Sequence, residues 1–361
     1  MRVALIGCGV ISHAYATNAT AFGSFELVAC ADLDGQRAEE LSAVSGLPVV
    51  AVAEAIADGS IDVILNLTPP SAHREVTAQA LAAGKHVYSE KPLAFSAHDA
   101  AELTRTAQRL GVRIGCAPDI FLGSAYQAGR RAIDEGAIGQ PLSVSAAMLV
   151  GGQETWHPNP DIFYADGAGP LFDMGPYYLT AMVALLGPIR RVAGFASART
   201  VERTIEVGPR AGERFRASTP TPTTAALELA GGVSCTLIAS FEAPGQYVCD
   251  IVIHGSEGVL RLPDPNAFGG TVQVKRGQGE WSAVRYASLG GADARGLGLA
   301  EMVDAIAAGR PHRASAELGT HVVDVARSIL DAAASGRVVA IGSTVEQPAP
   351  WSRHADTSLL Q

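Results

Sequence analysis

Met1-Arg2-Val3-Ala4-Leu5-Ile6-Gly7-Cys8-Gly9-Val10-Ile11-Ser12 opens the chain and carries its strongest fold signal. Val3–Ile6 is a short apolar strand, and the pattern from Ile11 to Ala21 predicts a helix. Two glycines stand between them. Gly7 permits a tight turn, and Gly9 lets the backbone approach a pyrophosphate. The N-terminus of the helix, at Val10 and Ile11, would offer unpaired N–H groups and the positive end of its dipole to that anion. Ser12 stands where a dinucleotide fingerprint has its third glycine, and it is small enough for close helix–strand packing.

Outward from this loop, strand and helix signals alternate with short connections. Glu26–Ala31, Val49–Val50, Ile61–Leu67, His86–Ser89 and Val112–Cys116 read as strands. Gly35–Val44, Ser71–Ala82 and Ser96–Leu110 read as helices, the last with Ser96 as N-cap and Gly111 past its end. Such alternation predicts a parallel sheet covered on both faces. Asp32 ends the second strand, where a carboxylate accepts hydrogen bonds from ribose hydroxyls and repels a 2′-phosphate, which favours NAD over NADP. Asp34 competes for that role, and Arg37 lies one helical turn on, within reach of Glu39 or Glu40. Asn66-Leu67-Thr68-Pro69-Pro70 ends a later strand. Its prolines stiffen the turn, and Thr68 is placed to contact the nicotinamide half of a dinucleotide. His73 reads as a structural or capping residue rather than a catalyst.

Gly84-Lys85-His86-Val87-Tyr88 then leads to Ser89-Glu90-Lys91-Pro92. Lys91 sits between a carboxylate and a proline at the carboxyl end of a buried strand, where parallel α/β sheets present residues to ligands. A lysine there can serve as an acid or a base.

The pattern changes after Pro118. Ile120–Glu135 reads as a helix, Leu142–Val150 as a strand, and Leu171–Leu186 as an apolar helix stopped by Gly187-Pro188. Strands follow without intervening helices: Val192–Ala198, Thr204–Val207, Thr224–Leu229, Val233–Phe241, Tyr247–His254, Val259–Leu262 and Val272–Lys275. They predict a mostly antiparallel sheet, followed by helices at Ala294–Ala308 and Ala316–Ala334. The division expected is a dinucleotide-binding domain over residues 1–118 and an α+β domain over 119–361.

The second domain carries its own polar cluster. Asp173 and Tyr177 are four apart, a spacing that puts both on one face of a helix. In an apolar helix such a pair faces a cavity or a buried network, and the neighbouring Tyr178 reads as core. Trp156-His157-Pro158-Asn159-Pro160 is a rigid loop whose indole and imidazole could line a polyol pocket, with Asp119 as a further wall residue. No second ligand stands at metal-site spacing from His157.

Composition narrows the classes. The 361 residues are 48% hydrophobic and 17% charged, as in globular chains. A net charge of −9 without a basic run disfavours nucleic acid and anionic membranes as partners. No apolar run approaches the roughly 18 residues of a spanning helix, and the first one is too short for a secretory signal. Five cysteines, Cys8, Cys30, Cys116, Cys235 and Cys249, are odd in number and lack a Cys-x-x-Cys pair, which suits buried thiols in a reducing cytoplasm.

Together these residues resemble the Gfo/Idh/MocA oxidoreductases: Gly-x-Gly-x-x-Ser after the first strand, Asp32, Thr68-Pro69-Pro70 with His73, Gly84-Lys85-His86-Val87 leading to Glu90-Lys91-Pro92, and Asp173-x-Gly175. The resemblance runs from Met1 to about Val339. It implies an α/β chain in which an N-terminal Rossmann domain precedes an α+β domain with a large, mostly antiparallel open sheet, through which members associate as homodimers or homotetramers. It implies NAD as cofactor, with NADP possible, and a sugar, polyol or glycoside as substrate. The cofactor set would be Gly7, Gly9, Val10, Ile11, Asp32, Thr68, Pro69, His73, Glu90 and Lys91. Lys91 would be the catalytic lysine and Asp173 the substrate-orienting acid. Tyr177 departs from the family, most of whose dehydrogenases have histidine there. Ionising an ordinary tyrosine at pH 7 costs roughly 4 kcal/mol, a cost that a nearby cationic Lys91 would reduce. In the reductive direction neutral tyrosine already donates. Two other readings share the motifs: a glycoside-cleaving enzyme that cycles its NAD, and a non-enzymatic dinucleotide-binding regulator of sugar metabolism.

Overall fold

In chain order the first elements are β1 (Arg2–Ile6), α1 (Val10–Asn18), β2 (Glu26–Ala31), α2 (Gly35–Ser45), α3 (Val52–Ala57), β3 (Val63–Asn66), α4 (His73–Ala82), β4 (His86–Ser89), α5 (Ala97–Leu110) and β5 (Ile114–Cys116). They come from a computed structural model that describes residues 1–165, 167–197, 202–245, 247–286 and 293–351. The five strands form one parallel sheet in the order β2-β1-β3-β4-β5. Ala31, Ile6, Asn66, Ser89 and Cys116 stand in one row across it. Because the strands are parallel and in register, the segments that follow them leave the sheet side by side along one edge. The strand order reverses between β1 and β3, the crevice where open α/β sheets bind ligands.

Burial holds the layers together. Ile6, Ile64, Val87 and Ile114 pack with Leu81 of α4 and Leu103 of α5, and each such side chain contributes about 1.5–3 kcal/mol when fully buried. Ser96 Oγ accepts the Asp99 N–H at 3.0 Å, and Gly111 closes α5 in the left-handed region at φ 69°. Val49 makes only an isolated bridge to Cys30.

The remaining elements are α6 (Ser124–Asp134), β6 (Pro141–Leu149), α7 (Pro170–Asp173), α8 (Gly175–Leu186), β7 (Ile189–Ala196), β8 (Glu202–Thr204), β9 (Arg214–Arg216), β10 (Pro222–Leu229), β11 (Ser234–Ser240), β12 (Val248–Gly255), β13 (Gly258–Leu262), β14 (Gln273–Arg276), β15 (Ser282–Ala283), α9 (Leu297–Ala307), α10 (Ala316–Ser335) and β16 (Val339–Ala340). Packing divides the chain into two units. One holds Met1–Ser124, Ala287–Val323 and Pro348–Gln361; the other holds Ala125–Tyr286 and Asp324–Gln347. A single cut after residue 118 does not describe this division. The outer edge of β5 gives a reason: the Cys116 N–H donates to Ala314 O at 2.9 Å, and Gly115 bridges Ser315. The later segment thus covers an edge that would otherwise expose unpaired backbone groups.

The second unit contains a nine-stranded sheet in the order β15-β14-β13-β12-β6-β11-β10-β7-β16. It is antiparallel except for the β6–β11 pair. Burial alternates along β10 and β11, as a sheet with one covered face requires. α8 is apolar and almost wholly buried.

Three sequence expectations change. Ile120–Glu135 is not one helix: Ile120–Leu122 is a 3-10 turn, Gly123 is extended at φ −63°, ψ 153°, and α6 begins after it. Leu171–Leu186 breaks at Met174, because Pro176 has no N–H to give Phe172 O and its ring crowds that carbonyl. The strand placed at Thr204–Val207 ends at Thr204 and pairs instead with β9 in a separate ribbon. Ala198, expected to end a strand, lies outside the described residues. Among the described residues no helix is long and apolar enough to cross a membrane.

Candidate active site

Gly7 follows β1 with φ +102°, and a Cβ there would meet Leu67 C and Thr68 N at 2.5 Å. Only glycine satisfies both the conformation and the approach to the end of β3. Gly9 is different: it is extended at φ −81°, and a Cβ on it would meet no atom of the described residues within 4 Å. That open space lies at the N-terminus of α1, where Val10 is 83% exposed. An anion there would meet backbone N–H groups that have no partner within the helix. Ser12 is buried and donates its hydroxyl to Gly9 O at 2.6 Å, which fastens the loop to the helix. The Asp32 carboxylate takes the Cys8 N–H at 2.7 Å on one oxygen and the Asp34 N–H at 2.8 Å on the other. Lone pairs remain on both oxygens for ribose hydroxyls. Asp34 instead caps α2 through the Gln36 N–H at 3.1 Å and pairs with Arg37 at 3.3 Å, so it does not compete with Asp32. These residues fit the phosphate and ribose of a dinucleotide. Cys8, in the same loop, is pushed up to about 12 by burial and stays a thiol.

The next two strand ends are tied to each other. Thr68 donates its hydroxyl to Asn66 Oδ1 at 2.7 Å, and Asn66 Nδ2 donates to His73 O at 3.1 Å and Thr77 Oγ1 at 3.2 Å. The His73 ring lies between Pro92 O and Thr68 O, each 2.7 Å from a ring nitrogen. Burial lowers its pKa, opposed by these two carbonyls. With both nitrogens occupied and the residue buried, His73 has no atom to offer a cofactor. Its place is behind the turns, which corrects the expectation of direct contact.

Glu90 is likewise turned inward. Its Oε1 accepts the Tyr15 hydroxyl at 3.1 Å and its Oε2 the Lys91 N–H at 3.1 Å. The carboxylate therefore fixes the backbone from which the Lys91 side chain departs. The other lysine of the motif, Lys85, is buried and donates to Asp58 O at 2.6 Å and Ile61 O at 2.7 Å. It closes the opposite end of β4. Asp119 does not stand as a pocket wall: it is 2% exposed, accepts the Gly298 N–H at 2.7 Å, and is raised to about 6 by burial.

In the second unit Asp173 ends α7 and Tyr177 lies in the first turn of α8. The break between them removes the regular helical spacing, and the Tyr177 N–H donates to Met174 O at 3.1 Å. Asp173 Oδ2 accepts from Gln153 Nε2 at 3.2 Å. Gln153 also shapes the Trp156 loop, because its carbonyl accepts the N–H groups of Trp156 at 3.3 Å and His157 at 2.9 Å. Trp156 stands 60% exposed, edge-on to His157 at 5.3 Å, with Phe163 behind the imidazole at 5.1 Å. Glu154, next in the chain, is held by Arg203 Nη1 at 2.6 Å and by the Tyr164 hydroxyl, and Arg203 Nη2 reaches Glu242.

Sequence reasoning missed the adjacent Gln153 and Glu154, and Arg203 and Glu242, three segments with no motif linking them. Tyr15 was also missed, and its helical spacing from Gly9 carries no chemical signal. Among the described residues one cluster has metal-ligand spacing, His98, Asp99 and Glu102, but Arg74 already bonds both carboxylates, at 3.1 and 3.0 Å.

Residues 1–117 match the family described as "Oxidoreductase family, NAD-binding Rossmann fold", and residues 126–261 match the "GFO/IDH/MocA C-terminal domain". The chain is 30% identical over 223 residues to a 1,5-anhydro-D-fructose reductase of Ensifer adhaerens, a match spanning 60% of this chain and 66% of that one. It is 30% identical over 267 residues to a dTDP-3,4-didehydro-2,6-dideoxy-alpha-D-glucose 3-reductase of Streptomyces violaceoruber, over 73% and 72% of the two chains. The solved structure of a levoglucosan dehydrogenase in complex with NADH and L-sorbose matches with a TM-score of 0.83 at 22% identity, over 95% of this chain and 99% of that one, a likeness of fold.

Proposed function

The chain belongs to the Gfo/Idh/MocA family of NAD(P)-dependent sugar and polyol oxidoreductases, and from that premise we propose that it moves a hydride between nicotinamide and a carbinol or ketone of a sugar or polyol, with Lys91 and Tyr177 handling the proton. Gly7, Gly9, Val10, Ile11 and Asp32 would hold the adenosine and pyrophosphate half, and Thr68 and Pro69 the nicotinamide half. When bound, the dinucleotide supplies the hydride acceptor or donor. The Lys91 ammonium donates a hydrogen bond to the reacting oxygen and favours its negative charge. The Tyr177 hydroxyl gives that oxygen a proton in reduction and, as phenolate, takes it back in oxidation. Asp173 accepts a hydrogen bond from a neighbouring hydroxyl and so orients the ring.

The observation that carries this reading is the row in which β1, β3 and β4 end together, with Gly7, Thr68 and Lys91 in the segments that follow. The experiment is to follow reduced-nicotinamide absorbance with NAD and NADP against levoglucosan, myo-inositol, 1,5-anhydro-D-fructose and a wider set of sugars and glycosides. Turnover of at least one, faster with NAD because Asp32 repels a 2′-phosphate, is expected. No turnover in either direction overturns the reading, and glycoside cleavage without net reduced cofactor would replace it with the cycling mechanism. We propose further that copies associate through the nine-stranded sheet, which light scattering on the purified chain tests.

A further inference from the structure

We infer that Gln153 reads a substrate hydroxyl beside the one taken by Asp173, so that the site selects a vicinal diol; the inference rests on the function proposed above. Gln153 is 6% exposed and its backbone is pinned: its N–H donates to the Tyr164 hydroxyl oxygen at 2.9 Å, and its carbonyl accepts from Trp156 and His157. Its Nε2 donates to Asp173 Oδ2 at 3.2 Å. Its Oε1 is buried and has no hydrogen-bond partner among the described residues.

The carboxamide cannot repair this by turning over. A flip would set Oε1 against the Asp173 carboxylate, acceptor against acceptor. The orphaned oxygen is therefore held beside a carboxylate that also only accepts. A buried acceptor left without a donor is costly, and native structures rarely keep one. The group that fits brings a donor to Gln153 Oε1, next to the hydroxyl that the proposed function gives Asp173. Two hydroxyls on adjacent carbons do so, one for Asp173 and one for Gln153 Oε1. The surroundings are built to hold this geometry, since Glu154 is locked by Arg203 and Tyr164, and the Arg203 guanidinium stacks 4.6 Å from the Tyr164 ring.

The test uses the sugar that wild type turns over best, together with its monodeoxy analogues. Gln153→Met keeps the volume and removes both polar atoms. Wild type should lose roughly 10-fold in kcat/KM on the one analogue lacking the hydroxyl that Gln153 reads. Gln153→Met should lose a similar factor on the full sugar, show no further loss on that analogue, and keep the NADH Kd unchanged. If Gln153→Met melts at too low a temperature to assay, Gln153→Glu serves instead. It keeps an acceptor but faces Asp173 with a like charge, so its KM penalty should shrink as the pH is lowered and a donor is restored. A Met variant that discriminates among the analogues as wild type does, or a Glu variant whose penalty ignores pH, overturns this inference alone. A wild type that turns over no sugar overturns the proposed function, and this inference with it.

Discussion

Tyr15 donates its hydroxyl to Glu90 Oε1 at 3.1 Å, joining residues 75 apart in sequence. The other oxygen of the same carboxylate holds the Lys91 N–H. Removing the hydroxyl leaves a buried carboxylate with one donor fewer. Tyr15→Phe should therefore cost about 1–3 kcal/mol of stability in urea denaturation. It should also lower kcat while sparing NADH affinity, because the Lys91 backbone loses its support.

The two glycines of the first loop should respond differently to the same change. Gly7→Ala forces a Cβ into Leu67 and Thr68 at a positive φ. The backbone conformation alone costs about 1–3 kcal/mol, so a fall in melting temperature is expected. Gly9→Ala meets no atom of the described residues and keeps an allowed backbone. Its melting temperature should stay near wild type while NADH affinity, measured by fluorescence titration, falls.

Lys91→Ala should lower kcat at least about 100-fold, the range of a lost acid–base group, with NADH binding nearly intact. Retention of more than about a hundredth of wild-type turnover would remove Lys91 from the chemistry.

Asp119 should make stability depend on pH. Its carboxyl is raised from 3.8 to about 6 by burial. The folded state then binds a proton that the unfolded state has released, and the stability this contributes, full below the unfolded value, is lost as pH rises through about 6. Asp119→Asn keeps an acceptor for the Gly298 N–H without the buried charge. Relative to wild type it should gain about 2–3 kcal/mol on passing from below pH 4 to above pH 7. A pH-independent difference between the two melting curves would count against this assignment.

Arg203 is the shared cation of Glu154 and Glu242. Arg203→Ala leaves Glu154 buried without its counter-charge, and a loss of about 3–5 kcal/mol is expected from denaturant unfolding. Because the pair is buried, salt should change that loss little.

The first unit was legible because its signals are local. Gly7 and Gly9 sit between a strand and a helix, and Asp32, Thr68 and Lys91 follow strand ends, so register alone brings them to one edge. Legibility failed where a residue's role depends on partners from elsewhere. Asp119 looked like a pocket wall and is buried against Gly298. His73 looked like part of the cofactor set and instead ties the Thr68 turn to Pro92. Asp173 and Tyr177 looked like one helical face until Pro176 divided the helix.

The parallel sheet, its glycine loop and the position of Lys91 could be read from the residues alone, since strand and helix periods and turn chemistry act within a few residues. Packing settled that Ala314 and Ser315 cover the edge of β5, that β6 pairs in parallel with β11, and that Gln153 holds Asp173. Those contacts join segments far apart in the chain. Their geometry depends on how whole layers pack, and no local period encodes it.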